Sequence, residues 1–322
     1  MRKTRITFGR AGTARRIQSG SARDSALRKG IGLAGVATAI TAAAALALPA
    51  GPALASARTS TAARTSAAAR TSAAALPVIT VAMNGHTVTV GGALQSGGVQ
   101  VQAKVPAKHQ AAAMFIRLDP EVTYAQFFRA FHSPAVADPN AVLAGTGSIV
   151  MNFDARPGTT TVQTSLRPGL YIGFDTEANN PENWPFTEFT VAAAASPAAL
   201  PRAQATVAAI EFGFTGPAKL HRGELVRFAN HGYLVHMIDA IQAKNLAGAR
   251  EIARLLKAGK INQATKLAIG ETGFLDPASH GALQQEKISA RAGYWVLACF
   301  METQDGRDHT RLGMERVIQI VK

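Results

Sequence analysis

The sequence predicts an all-β protein made of two tandem β-sandwiches, each with one inserted α-helix. From Pro77 onward, short runs rich in Val, Thr and Ile alternate with glycine-bearing turns, the pattern of short strands. Two pairs of segments also line up: RPGLYIGFD (167–175) with RAGYWVLAC (291–299), and AKHQAAAMFIRLDP with FANHGYLVHMIDAI. Each member of the second pair is followed by one helical segment. Finally, each copy spans about 115 residues, a length at which two packed sheets close their own core.

The N-terminal segment is of a different kind. Residues 1–76 hold twelve Lys/Arg and one acid, and residues 77–322 hold twenty-two against nineteen, so most of the net charge of +14 lies before the strands begin. No basic stripe with interleaved aromatics is present, which argues against a nucleic-acid partner. A basic stretch to Lys29 precedes the apolar run IGLAGVATAITAAAALALPAG and then Ala53-Leu54-Ala55, a small-x-small pattern before Ser56. This predicts an export signal peptide over 1–55, a secreted or cell-envelope location, and no stable membrane span once the signal is removed; a retained anchor is the rival, against which the short, Ala- and Gly-rich run counts. Residues 56–77 repeat Arg-Thr-Ser at 58, 64 and 70 with Ala between and have too few large apolar side chains for a core, which predicts a disordered linker.

The first copy, 78–192, reads as strands at PVITVAM, HTVTVGG, GVQVQAKV and AMFIRLD. In DPEVTYAQFFRAFHSP, Tyr124, Phe127, Phe128 and Phe131 fall at helical spacing, and Pro134 ends the segment. Strands follow near Gly147–Phe153, Thr160–Ser165, Leu170–Phe174 and Phe186–Val191. Residues 193–204 form a second linker. The second copy, 205–322, has strands at ATVAAIEFGF, GELVRFAN and LVHMIDAI, then a helix in LAGAREIARLLKAG with Ala249, Ile252, Leu255 and Leu256 on one face and Gly259 as its stop. KLAIGETG, a strand near Gln285–Ser289 and a final strand pair complete it.

That final pair, YWVLACFMETQDGRDHTRLGMERVIQIV (294–321), carries three soft-metal ligand types on a strand–loop–strand: Cys299, His309 and Met314. Cys299 is the only cysteine, so no intramolecular disulfide is possible, and an exported free thiol survives when buried or metal-bound. A Cys, a His and a thioether on one loop make most of a mononuclear copper site, which needs one more His. FANHGYLVHMI supplies His236, after Asn230 and Gly232. Taken singly, each has a plain structural role: Cys299 shares a strand face with Trp295 and Leu297, Met314 starts a strand, His236 sits on an apolar strand and His309 in a polar loop. Their joint order is what points to a metal.

At these residues the sequence resembles the cupredoxin (blue copper) family, whose Asn-x-x-Gly-type turn leads to a first His ligand and whose Cys, second His and axial Met come from one loop between the last two strands. The resemblance implies two tandem cupredoxin-like Greek-key β-sandwiches, with ligands only in the second. It implies one copper ion held by His236, Cys299, His309 and Met314, with Asn230 in the surrounding shell, and one-electron transfer with a redox partner protein, or copper holding. Nine residues separate Cys299 from His309, longer than is usual in small blue copper proteins and closer to copper nitrite reductases. In the first copy Asp175 falls at the Cys position, Met114 near the His and Trp184 roughly at the Met, while His86, His109 and His132 lack a thiol; a metal-free domain is expected.

An oxidase or reductase would need a second copper. Cys299 is flanked by Ala298 and Phe300, only eight histidines occur and none forms a His-x-His pair, so an electron carrier or copper-binding protein is expected rather than an enzyme. Ser279-His280 has no third partner for nucleophilic catalysis, and zinc-type Cys pairs and phosphate-cradling Gly loops are missing. The alternative is a metal-free secreted interaction or structural module on the same fold.

Overall fold

Alternation of apolar and polar residues drives the chain into seventeen strands among the residues that the computed structural model describes: 75–132, 143–177 and 183–322. The expected export segment and all but the last three residues of the expected tether over 56–77 lie outside them, as does Pro134. The N-terminal half contributes β1 (Val78–Met83), β2 (Val88–Gly92), β3 (Gly97–Val105), β4 (Ala111–Leu118), α1 (Tyr124–Phe131), β5 (Gly147–Ala155), β6 (Gly158–Leu166), β7 (Gly169–Asp175) and β8 (Phe186–Val191). The C-terminal half contributes β9 (Ala205–Ile210), β10 (Gly213–Thr215), β11 (Lys219–His221), β12 (Leu225–Asn230), β13 (His236–Ala243), α2 (Leu246–Lys257), α3 (Ile261–Lys266), β14 (Ala268–Ala278), β15 (Leu283–Lys287), β16 (Gly293–Ala298) and β17 (Glu315–Val321), with a 3-10 turn at His309–Leu312 before β17. The protein is all-β.

One eight-stranded sheet runs β10-β9-β12-β15-β6-β3-β1-β2 and draws four strands from each half. The halves meet in it at a single bridge, Gln285 opposite Gln163, reinforced by Gln285 Nε2 donating to Gln163 Oε1 at 3.3 Å and to the Pro201 carbonyl at 3.1 Å. Over it pack a four-stranded sheet, β5-β4-β7-β8, and a five-stranded sheet, β11-β17-β16-β13-β14. The edge strands of those two sheets touch: the Ser279 amide donates to the Ile149 carbonyl and the Ile149 amide to Ser279 Oγ, both at 2.9 Å. All described residues belong to one compact unit. Among them no helix is long and apolar enough to cross a membrane.

Each smaller sheet is covered on both faces, so its inner strands β4 and β13 are buried on both sides. In β4, Ala113 and Phe115 face the large sheet with Ile79, Val101 and Val162. Met114 and Ile116 point the other way, into a layer with Phe127 of α1 and Phe174. In β13 all eight residues are buried. Ile238 and Ala240 pack inward on Val207 and Phe228, while Ile241 and Ala243 pack outward on Ile252 and Leu256 of α2.

Local chemistry sets the helix ends. Thr123 and Gln126 form a reciprocal capping box on α1. Asn245 Oδ1 accepts the Gly248 amide at 2.8 Å to start α2, and the buried face of α2 is Ala249, Ile252, Leu255 and Leu256. Gly259, at φ +68°, ends it. A short second helix, α3, then precedes β14, which begins at Ala268 within the KLAIGETG run. The C-terminal half thus carries two α-helices rather than one. Residues 193–204 are strand-free, yet the Ala198 carbonyl accepts the Gly98 amide at 2.6 Å.

The two aligned segments share geometry as well as sequence. Tyr171 Oη donates to the Arg167 carbonyl at 2.7 Å, and Trp295 Nε1 donates to the Arg291 carbonyl at 2.9 Å, each four residues back. Gly169 and Gly293 begin their strands at φ +145° and +146°.

Candidate metal centre

Three strand ends deliver the candidate ligands. His236 is the first residue of β13 and Cys299 the first after β16, and the two strands pair antiparallel with Asp239 opposite Ala298. That register puts Ile238 opposite Cys299 and brings the Met237 amide to its sulfur, N–H donating to Sγ at 3.4 Å. His309 opens the 3-10 turn. The long segment between Cys299 and His309 does not hold them apart, because it folds out as its own small hairpin. Glu302 bridges Asp308, the Gly306 amide donates to the Thr303 carbonyl at 2.8 Å, and Thr303 Oγ1 and the Arg307 side chain both bind Asp305. The His309 amide then donates to the Met301 carbonyl at 2.8 Å, which closes the hairpin beside the thiol.

The result is a triangle of donors, all fully buried. His236 Nδ1 and His309 Nδ1 are 3.1 Å apart, Cys299 Sγ is 3.4 Å from His309 Nδ1, and Sγ is 3.8 Å from His236 Nδ1. A point equidistant from three such atoms lies about 2.0 Å from each, the length of a metal–imidazole bond and a little short of a metal–thiolate bond. Among the described residues this is the one group of three or more His, Cys, Asp or Glu side chains that converge in this way. Met314 is buried beside it: its amide donates to the His309 carbonyl at 3.1 Å and its carbonyl accepts the Cys299 amide at 3.3 Å. The donor set fits a soft or borderline ion, and two imidazoles with one thiolate in trigonal array next to a methionine fit copper.

Asn230 is in the surrounding structure but not against the sulfur. Its Nδ2 donates to the Leu234 and Ala278 carbonyls, both at 2.8 Å, and its Oδ1 accepts the Gly232 amide at 2.8 Å, so it shapes the loop that leads into His236. Contact with the sulfur falls to the backbone amides of Met237 and Met301, which no side-chain pattern reveals. Two further residues escaped the sequence. Glu211, in the turn between β9 and β10, places Oε1 3.5 Å from His236 Nε2. Its neighbour Phe212 meets the His309 ring edge-on with centroids 5.2 Å apart.

Burial dominates the electrostatics. It pushes the Cys299 thiol up to about 12, against the amide hydrogen bonds of Met237 and Met301, so the metal-free site holds a neutral thiol at pH 7. It pulls His236 below the usual imidazole range, although Glu211 draws it upward. Asp239, buried near the Asp154 and Glu271 carboxylates, is held well above the usual carboxylate range. The pocket therefore carries little charge before a cation enters.

In the N-terminal half, Asp175 sits where Cys299 sits. Its Oδ1 accepts the Ala112 amide and the Glu177 amide, both at 3.2 Å, as Cys299 accepts those of Met237 and Met301. With Ala113 opposite Asp175, the residue at the His236 position is Ala111, three residues before Met114. Two apolar runs of similar composition align equally well in several registers, and the backbone hydrogen bond selects one. Trp184 packs on Phe131 and Phe174, with ring centroids 6.1 Å from each, in the layer under α1.

No protein-family model and no curated protein sequence matches the chain. Solved structures similar to it include a dithionite-reduced auracyanin from Roseiflexus castenholzii, at 15% identity and TM-score 0.23 over 36% of this chain and 95% of that one. Auracyanin A from Chloroflexus aurantiacus, a blue copper protein, is 17% identical at TM-score 0.22 over 36% and 96%. A copper-containing nitrite reductase from Thermus scotoductus SA-01 is 10% identical at TM-score 0.22 over 76% and 67%. At such identities and TM-scores, the geometry of the chain's own residues carries the assignment.

Proposed function

We propose that the chain is an exported cupredoxin-like copper protein that binds one ion through His236 Nδ1, Cys299 Sγ and His309 Nδ1, with Met314 alongside, and serves one-electron transfer with a partner protein or copper holding. The single observation that carries this is the convergence of three buried donors of the right softness around one point. Copper in such a site supplies a one-electron couple. The residues do the rest: the rigid strand ends hold the donors in place through a change of charge, the Met237 amide polarises the sulfur, and complete burial keeps water out. In this reading residues 205–322 form the copper-binding domain and residues 78–192 a copy in which Asp175 replaced the thiol, linked through 193–204.

The test is the visible spectrum of the purified full chain after addition of Cu(II). An intense thiolate-to-copper band is expected, and Cys299→Ser removes it. A colourless wild type that does not retain copper would sink the proposal and leave a metal-free interaction module.

A further inference from the structure

Glu211 is anchored more firmly than a turn carboxylate needs to be. Its Oε1 accepts two consecutive amides of the loop before His236, Tyr233 at 2.6 Å and Leu234 at 3.0 Å, and the same oxygen lies 3.5 Å from His236 Nε2. The His236 side chain is fully buried, while that of Glu211 is 37% exposed, so the carboxylate stands between the ring and solvent. Gly232 makes the approach possible. A Cβ there would lie 2.6 Å from His236 Nε2 and 3.0 Å from Glu211 Oε1, so a side chain would wedge into the gap.

We infer that Glu211 is the positioning residue of the metal centre: its carboxylate holds the proton of His236 on Nε2, which leaves Nδ1 free to face Cys299 and His309. A neutral imidazole has one N–H and one lone pair, and a partner on one nitrogen decides which is which. Nδ1 already points at the other two donors, so the proton belongs on the Glu211 side. A carboxylate behind the ring also raises its basicity as a ligand, which favours the more highly charged Cu(II) over Cu(I). This inference rests on the copper assignment above.

The test measures copper affinity, reduction potential and the electron paramagnetic resonance pattern of the copper-loaded full chain in wild type, Glu211→Gln, Glu211→Asp and Glu211→Ala. Glutamine can still accept both loop amides but carries no charge. We expect it to raise the preference for Cu(I) over Cu(II) about tenfold, which is about 59 mV for a one-electron couple. Alanine releases the ring and lowers copper affinity about 10–100-fold with an altered resonance pattern, and aspartate, which keeps the charge, restores part of the wild-type potential. If wild type shows the thiolate band but the glutamine and alanine variants keep its potential and affinity, the Glu211 inference falls and the copper assignment stands. The same holds if Glu211→Ala only lowers the melting temperature. If wild type shows no band, both fall together.

Discussion

Cys299 is both the most diagnostic residue of the chain and the one whose chemistry depends most on its surroundings. Burial raises its thiol to about 12, so metal entry must displace a proton, while His236 is already neutral at pH 7. The sign follows. Below about pH 12 each step up in pH makes that proton easier to lose, so apparent copper affinity should rise about tenfold per unit between pH 7 and 8. Chelator competition at the two values checks this, and an affinity indifferent to pH would mean that the thiolate is not a ligand. At this scale four candidate ligands could be read from residue type and order, because softness is a property of the atom. Glu211 could not, since its relevance comes from a turn twenty-five residues away folding against His236.

Among the elements, β13 divides the C-terminal half into two layers. Its inward residues share a core with Cys299 and Met314, while Ile241 and Ala243 share one with α2. Truncating Ile252 should therefore act on stability alone. Ile252→Ala is expected to cost about 2–5 kcal/mol in denaturant unfolding and to leave the copper spectrum unchanged. A shifted spectrum would show that the two layers are coupled. The helix itself was readable, since its apolar spacing and the glycine stop are local signals. The short α3 was not, because Ile261–Lys266 buries only Ala264 and so shows no apolar face. Nor was the Glu302–Asp308 hairpin, which turns a loop that looks too long for the ligand set into one that fits.

On the scale of the molecule, the halves share a sheet joined by one bridge and flanked by polar groups. Next to that bridge, Glu286 on β15 is pushed up to about 8 by burial, with Arg156 of the other half pulling down. A carboxyl raised in the folded state favours folding while it is protonated. Its contribution is complete below the unfolded value of about 4.5 and is lost as the pH rises through about 8. The urea midpoint of the copper-free protein should fall between pH 5 and pH 8.5, and Glu286→Gln should flatten that fall. An equal fall in the variant would place the titrating group elsewhere.

The all-β class, the runs that become strands, the helix faces and the order of candidate ligands were all present in the linear chain, since each follows from side-chain type at a short, fixed spacing. Strand register was not, and register is what puts Ala111 rather than Met114 at the position equivalent to His236 and the Met237 amide on the sulfur. Register depends on hydrogen bonds between strands about sixty residues apart, and where a strand is buried on both faces, as β4 and β13 are, the side-chain pattern does not single out one register. The sheet shared between halves and the carboxylate behind His236 belong to the same class of fact: contacts between distant segments, settled by packing.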